Sequence, residues 1–152
     1  MVVSYHLIFL VVYRKNIMMN LTAFLIVAFV CYANAEITAE QKEKLKEYHK
    51  ACIVESGVNP EVVKQSRQGQ FAEDEKFKIH LFCISKKIGF QNDAGEIQTG
   101  VLSKKVGAIL NDQKLADQLI STCAQAKENA AETTFQTVKC FFEKSPEHIS
   151  IL

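Results

Sequence analysis

Five cysteines and four histidines are the side chains with the widest chemical repertoire in this sequence. His80 and Cys83 stand three residues apart, one turn of a helix. That spacing suits two metal ligands, or a thiol beside its base. Either use needs Cys83 reduced, and a chain exported to an oxidising compartment with Cys83 paired argues against both. Other catalytic patterns are missing. No Gly-x-Ser-x-Gly elbow, phosphate-binding glycine loop or His-Glu-x-x-His pair occurs. A secreted phospholipase needs a histidine–aspartate helix and a calcium loop. His49-Lys50 and Asn92-Asp93-Ala94-Gly95 do not supply them. The reading is therefore of a non-enzyme with no catalytic residues, no metal and no cofactor.

The cysteines then become structural, and the leader says where they form bonds. Arg14 and Lys15 precede an apolar run over residues 21–32 that ends in Ala33-Asn34-Ala35. A basic flank, a short apolar core and a small-x-small exit predict a signal peptide over residues 1–35. The core falls short of the roughly 20 residues that span a bilayer, which disfavours a membrane anchor. The stretch before Met18 and Met19 is also apolar, so either methionine is a candidate start. Secretion removes Cys31 and leaves Cys52, Cys83, Cys123 and Cys140. An even count in a small exported domain, residues 36–152, implies two disulfides, with three connectivities open to four cysteines. The leader takes two of 18 basic residues and none of 17 acidic ones, leaving a formal charge of −1. Bulk charge therefore offers no hold on nucleic acid or an anionic membrane. The sequon at Asn20 lies inside the leader.

Helices must place these cysteines, because no stretch shows a period of two. The central one is residues 76–90. Phe77, Leu81, Ile84 and Ile88 recur at helical spacing on one face, Ile79 and Cys83 form a second, and Lys78, Ser85 and Lys86 are left for water. A helix apolar on two sides packs between neighbours. Thr38 and Gln41 fit a capping box opening a helix through Leu45, Tyr48 and Cys52 to Gly57. Asn59-Pro60 starts a short helix that stops near Gly69. Glu73 and Asp74 put negative charge at the start of the central helix. Residues 96–110 carry Val101, Leu102, Val106, Ile109 and Leu110. Asn111-Asp112 interrupt, and Leu115, Leu119, Ile120 and Cys123 make a fifth face. Ala131, Phe135, Val138 and Phe142 lie on one stripe of a sixth helix, ended by Ser145-Pro146. The expected fold is all-α, about six short helices around an apolar cavity.

The cysteine intervals, 30 residues, then 39, then 16, resemble those of the insect odorant-binding proteins, the pheromone-binding and general odorant-binding family. The run Cys83-Ile-Ser-Lys-Lys-Ile-Gly-Phe-Gln-Asn-Asp-Ala-Gly-Glu-Ile resembles that family's segment after its third cysteine. The usual pattern has six cysteines. Here the second and fifth positions are Ile79 and Ala131, so one whole bridge is missing, as in the four-cysteine "minus-C" branch. The resemblance implies Cys52–Cys83 and Cys123–Cys140 bonds. It also implies that Ile79 and Ala131 face each other as an apolar pair where the fold is looser.

What the resemblance further implies is a secreted carrier of odorants or pheromones, taking small hydrophobic ligands through sensory fluid to membrane odorant receptors as a monomer or weak homodimer. The inward residues that suit such a pocket are Phe77, Leu81, Ile84 and Ile88 from the central helix. Val101, Leu102 and Val106 would close one side, Leu119 and Ile120 another, Phe135, Val138 and Phe142 a third. Tyr48 and His80 are candidate polar contacts. The tail, Ile149, Ile151 and Leu152, is apolar enough to fold over the mouth, with His148 beside it as a candidate pH sensor. Competing readings are a carrier or scavenger of hydrophobic molecules in saliva, haemolymph or reproductive fluid, and a saposin-like membrane-active protein.

Overall fold

The computed structural model describes residues 38–146 and 148–151. The leader over residues 1–35, the choice of start codon and the side chain of Leu152 lie outside the described residues. Six helices follow one another: α1 Ala39–Ser56, α2 Pro60–Ser66, α3 Glu75–Ile88, α4 Thr99–Leu110, α5 Gln113–Cys123 and α6 Ala130–Lys144. Among the described residues there is no strand, only an isolated bridge between Gln91 and Ile97.

Local chemistry sets most of the boundaries. Thr38 and Gln41 form the reciprocal capping box on α1, with Gln41 N–H donating to Thr38 Oγ1 at 3.2 Å. Asn59 caps α2, Asp74 caps α3, Asp112 caps α5 and Asn129 caps α6, each side chain accepting from a first-turn amide. Gly89 ends α3 at φ +80°, a conformation that favours glycine. Helix α4 begins at Thr99, three residues later than its apolar spacing predicts. The missing residues are held in the preceding loop, where Gln98 N–H donates to the Phe90 carbonyl at 2.8 Å. In the same loop Gly95 has φ +83°, and a side chain there would collide with Ala130.

Both disulfides have the pairing that the resemblance implies. Cys52 joins α1 to α3 with Cα atoms 5.7 Å apart, and Cys123 joins α5 to α6 at 5.5 Å. The core has three parts. Phe90, Leu102, Val106, Ala116, Leu119, Ile120, Val138, Phe141 and Ile151 fill the largest, between α4, α5, α6 and the tail. Phe77, Leu81, Phe135, Val58 and Val63 fill a second, between α2, α3 and α6. Ile84 packs on the Cys52–Cys83 bridge in the third.

Two side chains of α3 left for water by the sequence pattern are covered. Ser85 is 2% exposed. The Lys78 side chain is 12% exposed, its Nζ 2.8 Å from Glu132, 3.2 Å from Glu73, 3.3 Å from Glu75 and 5.2 Å above the Phe135 ring. These carboxylates hold the ammonium proton more tightly than usual, and Lys78 in turn keeps the Glu132 carboxyl below its ordinary range. The Lys78–Glu132 pair joins α3 to α6 one residue from Ile79 and Ala131. At that place the chain has an ion pair over an aromatic ring, with Ile79 itself 43% exposed.

Candidate ligand-binding site

A small void lies inside the largest core, with room of about 20 Å³, enough for roughly one water molecule. Phe90, Ile97, Leu102, Val138 and Ile151 form its apolar wall. Ser85 from α3, Gln91 from the loop, and Thr134 and Thr137 from α6 form the rest, and all four are buried. Helix α6 brings Thr134, Thr137 and Val138 to one side because positions three and four apart share a face. The loop holds Gln91 through its Nε2, which donates to the Gly95 carbonyl at 2.9 Å. Ile151 arrives from the tail and is 7% exposed. The tail is turned inward by Ser145, whose Oγ accepts from Ile149 N–H at 2.8 Å.

Of the residues that sequence points to as the pocket, Leu102, Val138 and Ile151 line this void. Val106, Leu119 and Ile120 are buried in the same core without reaching it. Phe77, Leu81 and Phe135 belong to the second core, and Ile84 and Ile88 lie near the Cys52–Cys83 bridge. Tyr48 is half-buried on α1. Val101, expected on an inward wall, is 40% exposed, because its neighbour Leu102 takes the inward position and adjacent helical residues diverge. Phe142 is only half-buried, against Phe71 and His148, while Phe141 is fully buried in its place. The apolar pattern leaves Ser85, Gln91, Thr134 and Thr137 unflagged. Thr134, Thr137 and Val138 at helical spacing are the one signal in the sequence for a polar wall.

His80 is wholly buried and faces His49 rather than the void, with His49 Nδ1 3.4 Å from His80 Nε2. Each histidine sits three residues before a cysteine of the Cys52–Cys83 bridge, so the disulfide brings the two rings together. Burial, then the Arg67 guanidinium, then His80, pull His49 down to about 4. Burial also lowers His80, opposed by the Cys52 backbone and reinforced by Arg67. An imidazole depressed in the fold binds its proton more readily when unfolded. Stability is therefore full above about pH 6.5 and falls as pH drops towards 4. We expect His49 to account for roughly 1–3 kcal/mol of acid loss, after allowing for its partial exposure. Urea unfolding at pH 7 and pH 4.5 checks this: His49→Gln should flatten the difference, and an unchanged difference would refute it. His148 is placed otherwise: its Nδ1–H donates to the Phe142 carbonyl at 2.9 Å.

A wider groove of about 240 Å³ lies beside Glu55, Cys83, Lys86, Lys87 and Asp93. Its lining is charged and open to solvent, so it cannot take an apolar molecule out of water. Among the described residues, no helix is long and apolar enough to cross a membrane.

Comparison with known proteins bears on what the inner void is for. The profile of the PBP/GOBP family matches residues 34–144. The B1 protein of Tenebrio molitor is 30% identical over 110 residues, covering 72% of this chain and 85% of that protein. A solved structure of odorant binding protein 7 from Anopheles gambiae, with four disulfide bridges and in complex with an azo compound, superposes with a TM-score of 0.60. It is 26% identical, covering 72% of this chain and 89% of that one. The THP12 carrier protein from the yellow meal worm is 32% identical at a TM-score of 0.52, covering 59% of this chain and 83% of that one.

Proposed function

The chain belongs to the PBP/GOBP family, a family of small-ligand carriers rather than enzymes, and from that premise we propose that it is a secreted carrier of small hydrophobic molecules. It would take odorants or pheromones through aqueous sensory fluid to membrane receptors. Residues 1–35 would direct export and be removed. The ligand would enter the void bounded by Leu102, Val138 and Phe90 and displace Ile151. The observation that carries this reading is the seat of Ile151. The Ile151 side chain from the tail is buried, 7% exposed, against the largely apolar wall of this gap.

A ligand losing about 300 Å² of apolar surface gains roughly 7 kcal/mol before ordering costs. Unseating Ile151 subtracts about 1.5–3 kcal/mol, leaving about 4–5.5 kcal/mol, a dissociation constant of roughly 0.1–1 mM. Shortening it should therefore tighten binding. Ile151→Ala is expected to bind a fluorescent apolar probe about tenfold more tightly than the native chain, with a lower stability. Equal affinity in the two proteins would separate the tail from the site. No uptake by either would end the carrier reading. Similarity to a protein described simply as a carrier supports a second reading, transport in haemolymph, saliva or reproductive fluid. Expression in antenna or in gland separates the two.

A further inference from the structure

The disulfide that joins α1 to α3 also brings two imidazoles together. His49 Nδ1 lies 3.4 Å from His80 Nε2, with ring centres 5.5 Å apart and planes tilted by 32°. Spacing in the sequence points to Cys83 as the partner of His80; the fold supplies His49 instead, 31 positions away. His80 is wholly buried and His49 half-buried, so solvent meets the pair through His49. The one polar side-chain contact of His80 is His49, and its Nδ1 is buried without a hydrogen-bond partner among the described residues.

The distance between the facing nitrogens is informative. Hydrogen bonds from nitrogen cluster near about 2.9–3.0 Å, so 3.4 Å is long for one. Two imidazole nitrogens held by one tetrahedral zinc ion, each at about 2.0–2.1 Å, stand about 3.3–3.4 Å apart. A square-planar ion would draw them in to about 2.8–3.0 Å. Burial holds both imidazoles below their ordinary range, so at neutral pH each has a lone pair to give. Turning both lone pairs to the gap takes a choice of tautomer and no loss of a proton. The Arg67 guanidinium is the opposing charge: it lowers both rings and would repel a metal cation in the same place.

We propose that His49 and His80 bind a zinc ion between α1 and α3, with water filling its remaining positions on the His49 side. No third histidine, cysteine, aspartate or glutamate completes a set with them among the described residues. The site is therefore an exchangeable one, weaker than the four-ligand sites that hold small domains folded. Zinc there would be a second tie beside the Cys52–Cys83 bridge, on a helix whose one buried residue is Cys52. Neither histidine lines the inner void, so the site is separate from the carrier pocket and does not depend on it.

Zinc titrated into the oxidised native chain at about pH 7.5, followed by nitrogen NMR of the histidine rings, tests this. The His49 and His80 signals should move together and saturate at one zinc per chain, before those of His148. Magnesium, which prefers oxygen ligands, should move neither ring. His49→Gln should weaken zinc binding at least tenfold, and Arg67→Gln should strengthen it about two- to threefold by removing an exposed positive charge. A histidine pair with only a packing role would not give these opposite signs. Rings unmoved by zinc up to about 1 mM, zinc bound as well by His49→Gln as by the native chain, or weaker binding in Arg67→Gln overturns the proposal. Should His49→Gln fail to fold, the ring signals of the native chain decide alone.

Discussion

Phe135→Ala is expected to lower stability by about 3–5 kcal/mol, the usual cost of emptying a buried phenylalanine site. Phe135 is fully buried and meets Phe77 and Phe71 edge-on, with ring centres 6.1 and 6.3 Å away. Lys78 lies over the same ring at 5.2 Å while paired to Glu132, so one side chain joins α2, α3 and α6. The loss should leave the affinity for the apolar probe unchanged where the protein is folded, because Phe135 is absent from the void lining. Urea unfolding measures the first effect and probe displacement the second. A cost under about 1 kcal/mol would mean that this junction is not packed as described.

Removing the first disulfide should cost almost as much. Cys52 and Cys83 lie 31 positions apart, and opening a loop of that size costs about 3–4 kcal/mol in the chain-entropy account. The consequence is local as well as global. Cys52 is the only fully buried residue of α1, so that helix depends on its bridge for attachment. Cys52→Ala with Cys83→Ala should leave α1 frayed. Amide exchange over residues 39–56 should speed up far more than over α5, which keeps its own link to α6. Uniform acceleration along the chain would show that α1 is held by other means. The same change should weaken the acid sensitivity of His49, whose depressed affinity for a proton depends on the burial and His80 contact that the bridge enforces.

The helices were legible because their ends are written in side-chain chemistry: Thr38 with Gln41, Asn59 with Pro60, Asp74 and Gly89 all act as caps where their types suggest. The disulfide pairing came from the family's spacing, since four cysteines alone leave three choices. The site was less legible. Helix α6 serves two cores at once, sending Phe135 into one and Val138 with Phe141 into another. A single stripe drawn through Phe135, Val138 and Phe142 therefore merges two faces. Polar residues that line a void look, in sequence, like residues facing water. Ser85 and Thr134 have partners or surroundings on another element or a loop, and only tertiary packing brings those together. The tail shows the reverse case: Ile151 is apolar in a short C-terminal segment, and it is buried, 7% exposed.

The central claim is that a small oily molecule occupies the interior by taking the place of Ile151. Methyl NMR on the oxidised protein, with the fluorescent apolar probe titrated in, tests it most directly. The account predicts saturation at one ligand per chain, with the Ile151 methyl signals leaving their buried, ring-shifted positions for those of a solvent-exposed isoleucine. Ile151 signals that stay in place while the probe binds, or a probe that does not bind at all, would contradict it.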